Sequence, residues 1–308
     1  PKDVRPVHYD VELRPNLEKF TFSGEVTISV IVYKPTSKII LHAADLKILK
    51  AEVFGEFASF KPVNVTFDKK METVTLHFKT KLRTDIRFLK IKFEGELNDK
   101  MHGFYRTSYE LNGKKCWGAA TQFEATDARR CFPCWDEPDK KATFSVKLDV
   151  PLGMTALSNM PTTSLIAGGN QKRITFAKTP VMSTYLLAFV VANLEYIEDH
   201  DKNGIPIRIW TTPGKEEHGR FALECAKHTL PYFGEWFGIP YVLEFQEGGE
   251  NKWFMIRSDD SALLIGEGGK NLAALNHIVR RIAEKQAIVA DRFLIDVNDY
   301  HKKKFEEI

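Results

Sequence analysis

Short runs that alternate apolar and polar residues recur from Tyr9 to about Phe93, and they constrain the fold more than any other feature. Tyr9-Asp10-Val11-Glu12-Leu13, Glu25-Val26-Thr27-Ile28-Ser29-Val30, Thr73-Val74-Thr75-Leu76-His77-Phe78 and Phe88-Leu89-Lys90-Ile91-Lys92-Phe93 all follow a period of two. Successive strand side chains point to opposite faces, so this pattern specifies strands with one buried face. The stretches 142–148 and 185–191 add two more. No helical pattern interrupts these runs, so the expected architecture is mainly β, a sheet-on-sheet sandwich of about 200 residues.

With 43% hydrophobic and 28% charged residues, the 308-residue chain has the balance of a soluble globular protein with a large core. A net charge of +3 favours neither nucleic acid nor a membrane surface as partner. No apolar run approaches the ~20 residues needed to cross a bilayer, and the opening Pro-Lys-Asp-Val-Arg-Pro has no signal-peptide core. A cytoplasmic location is expected, although a chain opening without Met leaves room for a removed leader. Four cysteines make no disulfide framework at this length. Cys131 and Cys134 form a CxxC, but Pro133 and Trp135-Asp136-Glu137-Pro138 read as a turn, so the pair is expected to be structural.

The densest chemistry lies in Gly118–Pro138. Gln122 and Glu124 are two apart, so an extended backbone sends both to one side and Phe123 to the other. A carboxylate beside an amide suits a cationic head group with several donors, such as a peptide's free α-ammonium. The alternative is a polar strand face on which Glu124 pairs with Arg129 or Arg130. Those arginines, with Asp127, Asp136 and Glu137, are expected to form a structural ion-pair network around the turn.

Thr121-Gln122-Phe123-Glu124-Ala125-Thr126-Asp127-Ala128-Arg129-Arg130-Cys131-Phe132-Pro133-Cys134-Trp135-Asp136-Glu137-Pro138 resembles the signature of thermolysin-like zinc aminopeptidases of the puromycin-sensitive type. Further matches include Gly103-Phe104-Tyr105-Arg106, Ala156-Leu157-Ser158-Asn159-Met160 and Thr179-Pro180-Val181-Met182-Ser183-Thr184-Tyr185-Leu186, and the resemblance reaches about residue 240. It implies that Gln122 and Glu124 hold the amino end of a peptide substrate at the edge of an active site. It also implies that the sandwich, residues 1–205, is followed at 206–240 by the start of a catalytic domain. There a helical pattern runs from about Lys215 to Gly234, with Phe221, Cys225, Thr229 and Phe233 on one stripe, and Pro231 is expected to kink or end it.

The family's zinc helix is not found. No His-Glu-x-x-His occurs, and the family's Gly-Ala-Met-Glu-Asn substrate loop is absent as well. A hydrolytic zinc site needs about three protein ligands and an open water position. No catalytic or metal residue is therefore assigned, no cofactor is expected in this chain, and zinc is expected only in the complete family enzyme.

Residues 241–308 carry 10 Lys/Arg against 12 Asp/Glu. A strand pattern at 252–257, helical patterns on either side of Ile265-Gly266-Glu267-Gly268-Gly269-Lys270, and a strand pattern at 293–297 resemble the KH domain of the Jag proteins. That resemblance implies a small α/β domain binding single-stranded RNA through Gly266, Gly268, Gly269 and Lys270. Glu267 inside the loop opposes it, and a glycine-rich structural turn is the alternative.

The expected function is binding of peptide amino ends by a chain that does not hydrolyse them alone. The alternatives are RNA binding through the KH-like part, or a scaffold in which neither site works. The joint near 240–242 is compatible with a natural fusion, an engineered one or an artefact. If nothing covers the helix, Phe221, Phe233, Trp236 and Phe237 leave an apolar patch favouring self-association.

Overall fold

The alternating stretches become the long strands that carry the molecule. The structure, a computed structural model, describes residues 3–55, 59–237, 242–248, 251–257 and 293–297. In chain order the strands begin with β1 (Val4–Asn16), β2 (Thr21–Val32), β3 (Thr36–His42), β4 (Leu46–Phe54), β5 (Ser59–Phe60), β6 (Asn64–Asp68) and β7 (Thr73–Leu82). They continue as β8 (Asp85–Glu96), β9 (Gly103–Leu111), β10 (Lys114–Gln122), β11 (Thr143–Pro151), β12 (Thr155–Ser158), β13 (Thr162–Gly168) and β14 (Gln171–Phe176). Next come β15 (Phe189–Ala192), β16 (Glu195–His200), β17 (Pro206–Thr211) and the helix α1 (Arg220–Phe237). After it lie β18 (Val242–Gly248), β19 (Asn251–Arg257) and β20 (Phe293–Val297).

The chain divides into two compact units, residues 1–195 with 211–215, and residues 196–210 with 216–308. In the first, eight strands pair in the order β13-β14-β11-β1-β2-β8-β4-β5. Neighbours β1, β2 and β8 are antiparallel, whereas β1 and β11 run parallel with Tyr9 opposite Phe144. Two smaller sheets, β12-β15-β10-β9 and β3-β7-β6, complete the sandwich. All three feed one core: Val11, Val26 and Ile91 from the large sheet, Ile39 and Leu76 from β3 and β7, and Phe104 and Val191 from β9 and β15. Gly95 lies opposite Phe22, and a Cβ there would come within 2.4 Å of that ring, so the aromatic fills the space the glycine leaves.

A chain of aromatic contacts runs through this core to the motif region. Phe22 meets Phe104 at 5.2 Å, Phe104 meets Phe189 at 5.1 Å, and Phe189 meets Phe123 at 6.1 Å. Phe132 links Phe123 to Tyr9, which stacks on Phe144 at 4.9 Å. Edge-to-face and offset pairs of this kind add directionality to the burial they accompany.

The expected strand at 185–191 is shorter than its pattern. Residues Thr184–Leu186 form a 3-10 turn, and the strand begins only at Phe189. Side chains of the preceding turn explain this: Ser183 Oγ donates to the Pro138 carbonyl at 2.7 Å and Thr184 Oγ1 to the Trp135 carbonyl at 3.1 Å. Those bonds tether the segment to the Asp-Glu-Pro turn and divert it from extended pairing.

In the second unit β16 and β17 pair, with Tyr196 and Trp210 rings 4.5 Å apart. The helix starts from a 3-10 turn at Glu216–Gly219 and runs through Pro231 to Phe237. Pro231 therefore neither ends it nor marks its last turn; it sits on the buried face with Leu223 and Gly234. The stripe read from the sequence is the outward one: Phe221 is 82% exposed, and Cys225 and Thr229 are exposed with it. β18 and β19 form an antiparallel hairpin, and β20 lies parallel to β19 with Trp253 opposite Leu294. The strands expected at 252–257 and 293–297 are thus present, whereas the expected helices and Gly266, Gly268, Gly269 and Lys270 lie outside the described residues. Among the described residues no helix is long and apolar enough to cross a membrane.

Candidate functional site

β10 ends at Gln122, which lies opposite Gly103 on β9. The alternation continues past the strand end: Gln122 is exposed, Phe123 is buried and Glu124 is exposed. Phe123 is anchored between Phe132 and Phe189, and the polar residues on either side of it lie at the surface. Gln122 Nε2 donates to the Glu124 carbonyl at 3.4 Å, and the amide oxygen is the acceptor end of the same group. The Glu124–Ala125 peptide is cis. The chain then reverses, with the Asp127 N–H donating to the Phe123 carbonyl at 2.9 Å, and a 3-10 turn follows at Ala128–Arg130.

Both arginines of that turn are committed elsewhere. Arg129 is 8% exposed; its Nε donates to Asp136 Oδ2 at 3.0 Å, its Nη1 to Glu72 Oε2 at 3.1 Å and its Nη2 to the Asp136 carbonyl at 3.3 Å. Arg130 reaches Asp127 Oδ1 at 2.8 Å and Glu72 Oε1 at 2.5 Å, and also pairs with Asp45. Glu124 makes no ion pair among the described residues. Its expected alternative partners are therefore taken. Glu137, expected in the network, pairs instead with Lys140 at 3.2 Å.

Glu72 and Asp45 were not legible as members of this network. Both are far away in sequence and sit at left-handed turn positions, with φ of +51° and +56°. Gly103 supports the same corner: its φ is +66°, and a Cβ on it would approach Arg130 Cβ to 2.8 Å. Beneath the network, burial pushes the Asp136 carboxyl up despite Arg129. His42 Nδ1 accepts the Asp136 N–H at 3.2 Å, and burial followed by the charge of Arg129 lowers the His42 pKa. The Tyr9 hydroxyl accepts the Trp135 N–H at 3.1 Å.

Cys131 and Cys134 are buried, unpaired thiols whose pKa values are pushed well up, in both cases chiefly by burial. A protonated thiol without access is inert, which fits their structural reading. A groove of about 1450 Å³ opens beside the network and shares Asp45 and Arg130 with it. Neither Gln122 nor Glu124 lines it, and its charges largely answer one another, as in Arg106–Asp99 and Lys47–Glu94. Among the described residues no cluster of three or more His, Cys, Asp or Glu could hold a metal ion.

The family model of the Peptidase M1 N-terminal domain matches residues 5–186, which take in β1 to β14 of the sandwich and the whole Gln122–Pro138 corner. The chain belongs to the peptidase M1 family. Aminopeptidase M1 of Arabidopsis thaliana is 42% identical over 281 residues, covering 87% of this chain and 32% of the relative. Puromycin-sensitive aminopeptidase of Caenorhabditis elegans is 37% identical over 300 residues, covering 93% of this chain and 32% of the relative. Aminopeptidase 2 of Candida albicans is 42% identical over 243 residues, covering 78% and 26%. This M1 chain spans about a third of the length of the curated relatives it matches.

Matches covering 87% and 93% of the chain necessarily run beyond residue 241, into the stretch that resembles a KH domain. They give the KH-like reading and its RNA-binding residues no support. In the same stretch Gly248-Gly249-Glu250-Asn251 keeps three residues of the Gly-Ala-Met-Glu-Asn order in one residue fewer. Membership of the M1 aminopeptidase family implies zinc in the complete enzyme. The described residues offer no donor set that fits that metal.

Proposed function

We propose that this M1 chain binds the free amino end of peptides through Glu124 and Gln122. The observation that carries the reading is the exposed Glu124 carboxylate, which makes no ion pair among the described residues, two positions from the exposed Gln122 amide, with Arg129 and Arg130 both engaged by other acids. Two acceptors of this kind satisfy two of the three N–H donors of an α-ammonium, one of them through a charge-assisted bond. Binding is the role assigned to these residues. Peptide-bond hydrolysis in the relatives named aminopeptidases would require the zinc ligands that no His-Glu-x-x-His supplies in this sequence.

Calorimetric titration with a short peptide tests it. Glu124→Ala is expected to weaken binding by roughly 10- to 100-fold, the scale of a lost charge-assisted hydrogen bond, and Gln122→Ala by less. Unchanged affinity in Glu124→Ala would refute the assignment. Both side chains are exposed, so the thermal midpoint should not move.

A further inference from the structure

β13 is an outer strand of the eight-stranded sheet, and all seven of its residues are exposed. The two-residue turn Gly169-Asn170 joins it to β14, placing Gly168 opposite Gln171, Ile166 opposite Arg173 and Leu165 opposite Ile174. Gly169 has φ of +62°, as the first central residue of a type II′ hairpin turn requires. In such a hairpin the pair flanking the turn exchanges hydrogen bonds, and every second residue then turns its N–H and C=O away from the partner strand. On β13 those residues are Ala167 and Leu165. Their backbone groups face the open edge.

Sheets ordinarily protect such an edge with Lys, Pro or an inward charge. From Ser164 to Gly168 β13 carries none of these, and Leu165 and Ile166 are 57% and 65% exposed. Other outer strands of the first unit with five or more residues do carry charge: Arg106 and Glu110 on β9, Lys38 on β3 and Asp68 on β6. The pairing irregularity of β13 lies at Thr162/Ser164, before this run begins.

We infer that β13 pairs antiparallel with β13 of a second copy of this chain, about a twofold axis at Ile166. In that register Leu165 exchanges both backbone hydrogen bonds with Ala167 of the partner subunit. Ile166 meets Ile166 of the partner subunit at the non-hydrogen-bonded position, where side chains approach most closely. Small Ser164 and Gly168 oppose each other at the ends, and no like charges meet. The patch is self-complementary, as a twofold contact demands. That complementarity is what selects a second copy over an unrelated extended segment.

Sedimentation of the full chain over a concentration series tests the pairing. A monomer–dimer equilibrium is expected. Ile166→Lys, which opposes two ammonium groups across the axis, and Ala167→Pro, which removes an N–H that β14 does not use, should each weaken it roughly tenfold or more. Both variants should keep the parent's circular dichroism and thermal midpoint. Mixing Ile166→Lys with Ile166→Glu chains should restore the dimer, and Phe221→Ser on α1 should leave it intact. A parent chain that stays monomeric at its highest soluble concentration would overturn the inference. So would a dimer that survives both β13 substitutions, or one that Phe221→Ser abolishes.

Discussion

Arg129 holds the motif corner to the rest of the sandwich, because it bonds Asp136 by side chain and backbone while also reaching Glu72. Removing it strands the Asp136 carboxylate, which is 4% exposed and already raised by burial. Arg129→Met is expected to cost about 3–5 kcal/mol in urea unfolding. The double variant with Asp136→Leu should recover most of that loss, since it removes the buried charge as well. A further consequence concerns pH. His42 must be unprotonated at Nδ1 to accept the Asp136 N–H, and its pKa is held below the usual 6.5. As pH falls through that usual value the unfolded chain takes up a proton that the native state refuses. Stability from this group is therefore complete above about pH 6.5 and declines below it, by at most about 1.4 kcal/mol per pH unit. Asp136, raised rather than lowered, contributes with the opposite sign in the acid range. Comparing urea midpoints of the parent and His42→Gln from about pH 7 to about pH 5 isolates the His42 part, and the variant's curve should be flatter.

At the level of elements, the β9–β10 pair carries the candidate site, and two residues shape that end of it. Phe123 buries its ring between Phe132 and Phe189, so Gln122 and Glu124 have only the outer face left to them. Gly103, opposite Gln122, takes a left-handed φ with Arg130 packed where a side chain would begin. Gly103→Ala should therefore lower stability by roughly 1–3 kcal/mol, read as a reduced thermal midpoint. These strands were legible in sequence because alternation records burial directly: Tyr9, Val11 and Leu13 are buried on β1 as their spacing requires. The exposed, buried, exposed order of Gln122, Phe123 and Glu124 was legible for the same reason. Glu72, Asp45 and His42 were not, since their meeting with the motif depends on how distant turns fall together, and no local period encodes that. α1 shows another limit. Its stripe at Phe221 is apolar and outward, while Leu223, Pro231 and Gly234 form the inward face. Periodicity located the helix without saying which side packs.

For the whole molecule, family membership rests on residues 5–186, the M1 domain match that takes in β1 to β14 and the motif corner. The C-terminal stretch was harder to read. A glycine-rich turn between two helical patterns occurs in many folds, and only the reach of the aminopeptidase matches past residue 241 bears on it. The account as a whole rests on recognition of a positive amino end by a carboxylate and an amide at the end of β10. The most direct test is the ratio of dissociation constants for one short peptide with its amine free and with its amine acetylated. Acetylation removes the charge and two donors while leaving the side chains unchanged. Glu124 recognition predicts that the free amine binds the parent chain roughly tenfold or more tightly, and that Glu124→Ala brings the ratio close to one. Equal affinity for the two peptides in the parent chain would contradict it.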